Sequence, residues 1–349
     1  MTLFTHPEFD GHETVSHCHD ARSGLRAIIA VHNTTLGKGL GGCRMWPYAS
    51  EDEALTDVLR LSRGMTYKAA LAGLPQGGGK SVIIGDPRRD KTPELMRAVG
   101  RAVERLNGAY VIAEDSGTSV ADMRHVAEFT RHVGGLADAA AVAAGRTGDP
   151  SPATAYGVFI GIQAAVRYRL QREDLRGVRV AVQGVGNVGF RLCQLLHDAG
   201  ARLWVTDIHM PAVERCVREL GATAVAMHEI ATLDVDVFAP CALGAILNDS
   251  SIGQIQAVIV AGAANNQLAR PEHGRALMQR DILYAPDYCI NAGGIIDIHY
   301  EGLNYDWALV EAHLQRIGTT LTRIFERATA EKRPTGEIAD RMAEEIFKP

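Results

Sequence analysis

No stretch of this sequence is apolar for long enough to span a bilayer, and its first residues, MTLFTHPEFDGHE, lack the basic segment and apolar core of a cleaved leader. Together these absences lead us to expect a cytoplasmic, uncleaved protein. Positive charge is not in surplus either: 36 Lys and Arg stand against 41 Asp and Glu, a formal net charge of −5. Such a chain builds no field able to hold a polyanion, which argues against nucleic acid as a partner. Cysteine pairs are missing. Cys18, Cys43, Cys193, Cys216, Cys241 and Cys289 lie far apart with no Cys-x-x-Cys, and read as reduced, mostly buried thiols. Metal-ligand clusters are almost as scarce. His17-Cys18-His19-Asp20 is the one candidate, but on a strand Cys18 points away from the two histidines and no second cluster completes a four-coordinate site. The expectation there is polar edge-strand residues and no metal. There is no internal repeat.

What is present is the composition of a soluble globular protein, 46% hydrophobic and 22% charged, with 349 residues for two domains of ordinary size. GLPQGGGKS (73 to 81) looks at first like a phosphate loop, yet the required first glycine falls on Leu74. Glu51 to Ala70 has helical period behind a Ser50/Glu53 capping box, and Ser81 to Ile84 reads as strand. The order helix, glycines, lysine, strand is the reverse of a phosphate loop, so Lys80 needs another role.

Between Gly24 and Gly134 the pattern is α/β, with strands at Ala27 to His32, Ser81 to Ile84 and Tyr110 to Ala113 and a helix opening at Thr92-Pro93-Glu94. Residues 134 to 152 turn to Gly, Pro and small side chains and read as a hinge. A helix from Thr154 to Leu170 follows. Short apolar strands at Val178 to Gln183, Arg202 to Thr206, Val235 to Ala239, Ala257 to Ala261 and Ile282 to Tyr284 then alternate with helical segments, which predicts a parallel sheet covered on both faces. Trp307 to Phe347 is helical and charged. The expected architecture is α/β with two domains: residues 1–145, and 146–327 as a Rossmann dinucleotide-binding domain.

Two stretches match Gly-x-Gly-x-x-Gly. The first, at Gly37 to Gly42, precedes CRMWPY, which has no helical period, and fails for want of context. The second, Gly184-Val185-Gly186-Asn187-Val188-Gly189, follows the strand VRVAVQ and opens a helix, so its amides and the helix dipole are set to receive a pyrophosphate. The next strand ends in Asp207, 23 residues after Gly184, where a carboxylate accepts from ribose hydroxyls and repels a 2′-phosphate. The expected cofactor is NAD rather than NADP.

GGCRMWPY (41 to 48), RGMTYKAALAGLPQGGGKSVIIGDP (63 to 87), AEDSGT (113 to 118), DPSPATAYGV (149 to 158), VQGVGNVG (182 to 189), APCALG (239 to 244), AGAANNQL (261 to 268) and YAPDYCINAGG (284 to 294) resemble, in order and over nearly the whole chain, the Glu/Leu/Phe/Val dehydrogenase family, closest to its leucine enzymes. The resemblance implies reversible oxidative deamination of an L-amino acid by NAD⁺ to a 2-oxo acid and ammonia. It also implies a cleft between a substrate and oligomerisation domain and the dinucleotide domain, C-terminal helices from about 328 to 349 returning to the first domain, and a homo-oligomer, dimer or octamer.

Residue by residue, the resemblance assigns Lys68 to the substrate carboxylate and Lys80 to catalysis. Hydride leaves Cα only from a neutral amine, and water must then attack the iminium, so a proton acceptor is needed; burial beside cationic Lys68 disfavours charge on Lys80 and suits it to that task. Asp115 matches the acid that exchanges protons with the amino group, although its charge partly opposes that effect. Gly41 and Gly42 resemble the backbone lining the substrate, and Asn265 and Asn266 a pair of which at least one touches it. Thr154 matches the residue orienting the nicotinamide amide; Ile208, Cys241 and Ala242 join the cofactor set. Leu40, Ala113, Ile295 and Ile298 match the wall around the substrate side chain, all apolar, so a charged substrate is rejected and a branched aliphatic one favoured. The triple glycine and Gly42-Cys43-Arg44-Met45 look more like the phenylalanine enzymes, which makes an aromatic amino acid (phenylalanine or tryptophan) the alternative substrate. A non-catalytic NAD-sensing protein is the alternative of another class. Asp297, in IIDIHYEG, is expected on a polar loop end, solvated.

Overall fold

Residue patterns of period two and period 3.6 alternate along most of the chain, and they fold into two sheets clothed by helices. A computed structural model describes residues 2–136, 149–242, 244–301 and 305–348. The chain divides into two units, one of Met1–Asp149, Ile298–Tyr305 and Glu344–Pro349, the other of Pro150–Asp297 and Asp306–Ala343. Most of the expected hinge, and the expected boundary at 145/146, lie outside the described residues. The C-terminal return begins at Glu344, later than the 328 read from the sequence, and residues 298–305 join the first unit as well.

The first unit holds strands β1 (Thr14–Asp20), β2 (Leu25–Asn33), β3 (Gly39–Trp46), β4 (Gly77–Ile84) and β5 (Tyr110–Glu114), with helices α1 (Glu51–Leu71), α2 (Pro93–Glu104) and α3 (Val120–Ala127). The sheet order is β1-β2-β4-β3-β5; β2 is antiparallel to both neighbours, whereas β3 is parallel to β4 and β5. Strand alternation sorts the core into two layers. Ile28, Ala30 and Val82 pack with Ala54, Val58 and Leu59 of α1, while Ile29, Val31, Ile83 and Met45 pack with Met96, Val99, Met123 and Val126 of α2 and α3. Each fully buried Val, Leu, Ile or Met among them contributes about 1.5–3 kcal/mol. α1 starts where expected: Ser50 Oγ accepts from the Glu53 amide at 3.1 Å, and Glu53 Oε2 accepts from the Ala49 amide at 2.7 Å. His17, on edge strand β1, lies 3.0 Å from the Glu51 carboxylate.

The glycines before Lys80 are strand rather than loop, so Lys80 sits mid-strand in β4. A Cβ on Gly77 would come within 2.0 Å of Asn33 O, on Gly78 within 2.1 Å of the Thr66 amide nitrogen, and on Gly79 within 2.6 Å of the Tyr110 ring. Glycine here allows α1 and β2 to approach β4 closely, a use that local strand propensity disguises. The rejected first glycine fingerprint is likewise strand, from Gly39 onward in β3.

The second unit contains α4 (Ser151–Leu170), β6 (Arg179–Gln183), α5 (Asn187–Asp198), β7 (Arg202–Thr206), α6 (Met210–Leu220), β8 (Thr223–Ala224), β9 (Val237–Pro240), β10 (Ile259–Val260), α7 (Glu272–Gln279), β11 (Leu283–Tyr284), α8 (Asp287–Ile290) and most of α9 (Gly293–His299). α10 (Trp307–Glu331) follows, then α11 (Thr335–Phe347), whose end belongs to the first unit. All pairings in its six-stranded sheet are parallel, in the order β11-β10-β9-β6-β7-β8. The chain winds outward from β6 to β8, then restarts beside β6 at β9, which puts a topological switch point between β6 and β9. Asp297 departs from expectation: it lies on α9 and is 6% exposed, because IIDIH continues a helix instead of ending in a loop. The six cysteines are unpaired, and all but Cys241 are buried. No helix among the described residues is long and apolar enough to cross a membrane.

Two histidines are buried beneath α1. His12 Nε2 is 3.1 Å from both Leu59 O and Ser62 Oγ, His32 Nδ1 is 2.8 Å from Thr66 Oγ1, and the two rings stand 4.9 Å apart, edge to face. Burial, reinforced by the neighbouring His12, pushes His32 down to about 4; burial also lowers His12. With the folded value below the unfolded one, the stabilisation is complete above about pH 6.5 and is lost as pH falls toward 4. Urea denaturation at pH 7 and 4.5 is therefore expected to show about 2–3 kcal/mol more loss in the wild type than in His32→Asn. Equal losses in the two proteins contradict this assignment.

Candidate active site

The parallel trio β4-β3-β5 brings three of the singled-out motifs side by side. Gly41 pairs with Ile112 and Gly42 with Ala113 across β3 and β5, and Leu40 pairs with Gly78 across β3 and β4. A Cβ on Gly41 would fall 1.6 Å from Gly79 O, and one on Gly42 would fall 2.6 Å from the Cβ of Asp115. These absent side chains let Asp115, just past β5, fold back over β3. Its turn is locked by its own motif. Thr118 Oγ1 donates to Cys43 O at 2.8 Å, the Asp115 amide donates to Thr118 Oγ1 at 3.0 Å, and Gly117 takes φ +83° where a Cβ would lie 2.1 Å from Met45 O.

Lys80 is 6% exposed, and its Nζ donates to Asp115 Oδ2 at 2.5 Å. Arg44, on β3, reaches the same oxygen with Nε at 3.4 Å and contacts Asp57 of α1 with Nη1 at 3.0 Å; Tyr48 donates to Asp57 Oδ2 at 2.6 Å. Burial works against ionisation of Asp115, but Lys80, then Arg44, and a hydrogen bond from the Ser116 amide outweigh it and hold the carboxyl well below its usual range. Next to it, burial and the charges of Asp115 and Asp149 push Glu114 up. The cluster therefore offers one fixed carboxylate, one buried ammonium in contact with it, and a guanidinium that cannot be deprotonated. Lys68 is half-buried on the last turn of α1, two residues after Thr66, the residue against which Gly78 packs.

Of the expected side-chain wall, Leu40 and Ile298 converge on Gly134. A Cβ there would lie 3.2 Å from Ile298 Cγ2, 3.7 Å from Leu40 Cδ1 and 3.8 Å from Val111 Cγ1. Ala113 is 5% exposed on β5, and Ile295 is 9% exposed on α9 in the second unit.

In the second unit the glycine fingerprint occupies the turn between β6 and α5, beside the switch point. Gly184 takes φ +94°, and a Cβ on it would strike Ala242 at 2.7 Å; one on Gly189 would lie 2.0 Å from Gly184 O. Gly186, the N-cap of α5, has nothing within 4 Å of that position. One glycine thus makes the turn, one lets the helix pack, and one opens a space in front of the helix N-terminus, followed there by Asn187 and Val188. Asp207 directly follows β7 with both oxygens held, Oδ2 by the Val185 amide at 2.7 Å and Oδ1 by the His209 amide at 2.8 Å. Ile208 beside it is 88% exposed. Cys241 and Ala242 follow β9 against Gly184, and Thr154 Oγ1 donates to Pro150 O at 2.9 Å, close to Gly294. Asn265 and Asn266 are exposed; Asn265 Oδ1 accepts from Asn291 Nδ2 at 2.8 Å.

Arg44, Asp57, Thr118, Gly134 and Asn291 escaped the sequence reading. Arg44 and Thr118 lay inside quoted motifs, GGCRMWPY and AEDSGT, and Asn291 inside YCINAGG, so the signal was present without a role attached. Asp57 and Gly134 carried none, because their partners are distant in sequence. Asn291 Oδ1 is buried and has no hydrogen-bond partner among the described residues.

A parallel, doubly wound unit with this fingerprint, joined to a second α/β unit carrying a buried Lys–Asp pair, has the makeup of a two-domain dehydrogenase. The chain matches the model of the Glu/Leu/Phe/Val dehydrogenase dimerisation domain over residues 12–132, and that of the glutamate/leucine/phenylalanine/valine dehydrogenases over 145–209 and 208–335. It belongs to this family and is an amino-acid dehydrogenase. It is 50% identical over 345 residues to leucine dehydrogenase of Geobacillus stearothermophilus, covering 99% of this chain and 93% of that enzyme. It is 46% identical over 346 residues to L-tryptophan dehydrogenase of Nostoc punctiforme (99% and 96% covered), and the crystal structure of that organism's enzyme superposes with a TM-score of 0.82 over 97% and 96% of the two chains. The hetero-hexameric glutamate dehydrogenase of Thermus thermophilus, 22% identical, shares the fold with a TM-score of 0.74 over 92% and 84%.

Proposed function

We propose that this chain catalyses the reversible NAD-dependent oxidative deamination of branched-chain aliphatic L-amino acids, leucine, valine and isoleucine, to the 2-oxo acid and ammonia. The observation that carries the reading is the buried contact of Lys80 with Asp115 on glycine-thinned strands, in a chain half identical to a leucine dehydrogenase. Bound NAD supplies the hydride acceptor. The residues present fit it: the open space before Gly186 would admit a pyrophosphate to the α5 amides, and Asp207, fixed by two backbone amides, would accept from ribose hydroxyls with a charge that disfavours a 2′-phosphate. Thr154 would hold the nicotinamide amide, and Ile208, Cys241 and Ala242 would complete the cofactor set.

Lys68 holds the substrate carboxylate as a fixed cation. Asp115 exchanges protons with the amino group, and Lys80 takes the proton of the water that adds to the iminium carbon. Gly41 and Gly42 bring backbone against the substrate, with Asn265 or Asn266 as a further polar contact. To the substrate side chain we assign the apolar Leu40, Ala113 and Ile298 of the first unit, with Ile295 of the second, against which a carboxylate side chain would be left unpaired. We further infer a cytoplasmic homo-oligomer assembled through the first unit, the part matched by the dimerisation-domain model.

The deciding experiment is a panel of L-amino acids with NAD⁺ at alkaline pH, followed by NADH formation. Leucine, valine and isoleucine are expected to turn over with little phenylalanine or tryptophan activity; the opposite order assigns an aromatic substrate. The cofactor reading predicts that Gly186→Val weakens NADH binding about 10- to 100-fold at an unchanged melting temperature, since nothing lies within 4 Å of its Cβ. NADH titration by fluorescence checks this, and unaltered affinity refutes it.

A further inference from the structure

The Lys80–Asp115 pair has a third charged member that the proposed chemistry above does not use. Arg44 Nε lies 3.4 Å from Asp115 Oδ2, and its Nη1 contacts Asp57 Oδ1 and Oδ2 at 3.3 and 3.0 Å. Tyr48 OH donates to the same Asp57 at 2.6 Å. The Arg44 side chain is 19% exposed, and its Nε is fully buried without a well-formed hydrogen bond, held near Asp115 by charge alone. A long, rotamer-rich side chain is thus pinned at one end by a carboxylate from α1, itself steadied by a phenol, so that its other end meets Asp115. Burial opposes the Arg44 charge, and the two carboxylates outweigh that cost.

Lys80 can serve as proton acceptor only by spending part of each turnover as a neutral amine. In that interval the Lys80–Asp115 pair carries a net charge of −1, in a place where an uncompensated anion is costly. A guanidinium keeps its proton throughout, as a second lysine would not. We propose that Arg44 is a positioning residue for the reaction inferred above, the permanent counter-cation that keeps Asp115 aligned, and ionised between its exchanges with the amino group, while Lys80 gains and loses its proton. The groups surrounding Asp115 fit this division. Lys80 comes from β4, Arg44 and Cys43 from β3 with Tyr48 just beyond it, and Tyr110 and Glu114 from β5; Asp57 of α1 acts through Arg44. Arg44 is the one member of this set besides Lys80 that carries positive charge.

Arg44→Gln, Arg44→Lys and Asp57→Asn test the role. Arg44→Gln is expected to lower kcat about 10- to 100-fold and to move the ascending limb of the kcat/KM–pH profile about one unit higher, because losing a nearby cation favours the protonated state of the pair. Arg44→Lys should restore part of both, and Asp57→Asn, which only loosens the clamp, should shift the limb the same way by less. A readout independent of turnover is the ¹³C titration of the Asp115 carboxylate, assigned with Asp115→Asn, which should move upward in Arg44→Gln. A folded Arg44→Gln with an unmoved limb and an unmoved carboxylate titration overturns the proposal, even if its kcat is low; should that variant not fold, the same result in Asp57→Asn does so. If the wild type oxidises no amino acid, the functional reading fails by itself, and the carboxylate titration still decides what Arg44 does.

Discussion

Lys80→Ala is expected to lower turnover about 10³-fold or more while leaving NADH affinity within about twofold of wild type. Lys80 is 6% exposed, and its Nζ lies 2.5 Å from Asp115, so no water-borne base takes its place without rearranging the cluster. Removing it also leaves a buried carboxylate with one cation in place of two. Breaking a buried ion pair outright costs about 3–5 kcal/mol; with Arg44 still 3.4 Å away, a smaller loss, about 1–3 kcal/mol, is expected. The fold should survive, and the effect should appear as lost kcat. Steady-state rates with leucine, NADH titration and thermal melts of the same preparations separate these terms. A variant that keeps a tenth of the wild-type kcat removes Lys80 from the chemistry.

Gly41→Ala is expected to be the most damaging small substitution in the first unit. The added methyl would sit 1.6 Å from Gly79 O and 2.6 Å from its carbonyl carbon, backbone atoms that cannot swing aside. β3 and β4 would have to part, and with them the register that sets Lys80 beside Asp115. Overpacking of this kind commonly costs about 1–3 kcal/mol where side chains can yield. Against two strand backbones the loss should exceed about 4 kcal/mol, enough to leave little folded protein. Gly186→Ala is the control, since its Cβ meets nothing within 4 Å. The comparison needs only soluble yield and melting temperature. Gly41→Ala melting within a few degrees of wild type would mean that the β3–β4 contact is looser than described.

Much of the fold is legible in the sequence. The fingerprint at Gly184 to Gly189 is contiguous, sits between a strand and a helix, and shows each glycine serving one local need. α1 announced itself through the Ser50 cap and its apolar spacing, and the parallel sheet through short apolar strands separated by helices. The failures are as instructive. Gly77 to Gly79 read as a loop because glycine has poor strand propensity, yet they are strand because α1, β2 and Tyr110 press against them. Asp297 read as solvated because IIDIHYEG resembles a polar loop end, yet the helix carries it into the interior.

By itself the sequence determines the alternation of strands and helices, through spacing within a few tens of residues where hydrogen-bonding period and turn chemistry operate; the family, and the choice of Lys80 and Asp115 for chemistry, come from its resemblance to known dehydrogenases. Only the tertiary structure decided that Lys80 touches an aspartate 35 positions away, and that Arg44 and Asp57 complete the charge set around it. Those meetings follow from the register of β3 against β4 and β5 and from how closely glycine lets the layers approach. A register is a collective property of packed strands, settled by burial of the whole sheet, and no local pattern in the chain records it.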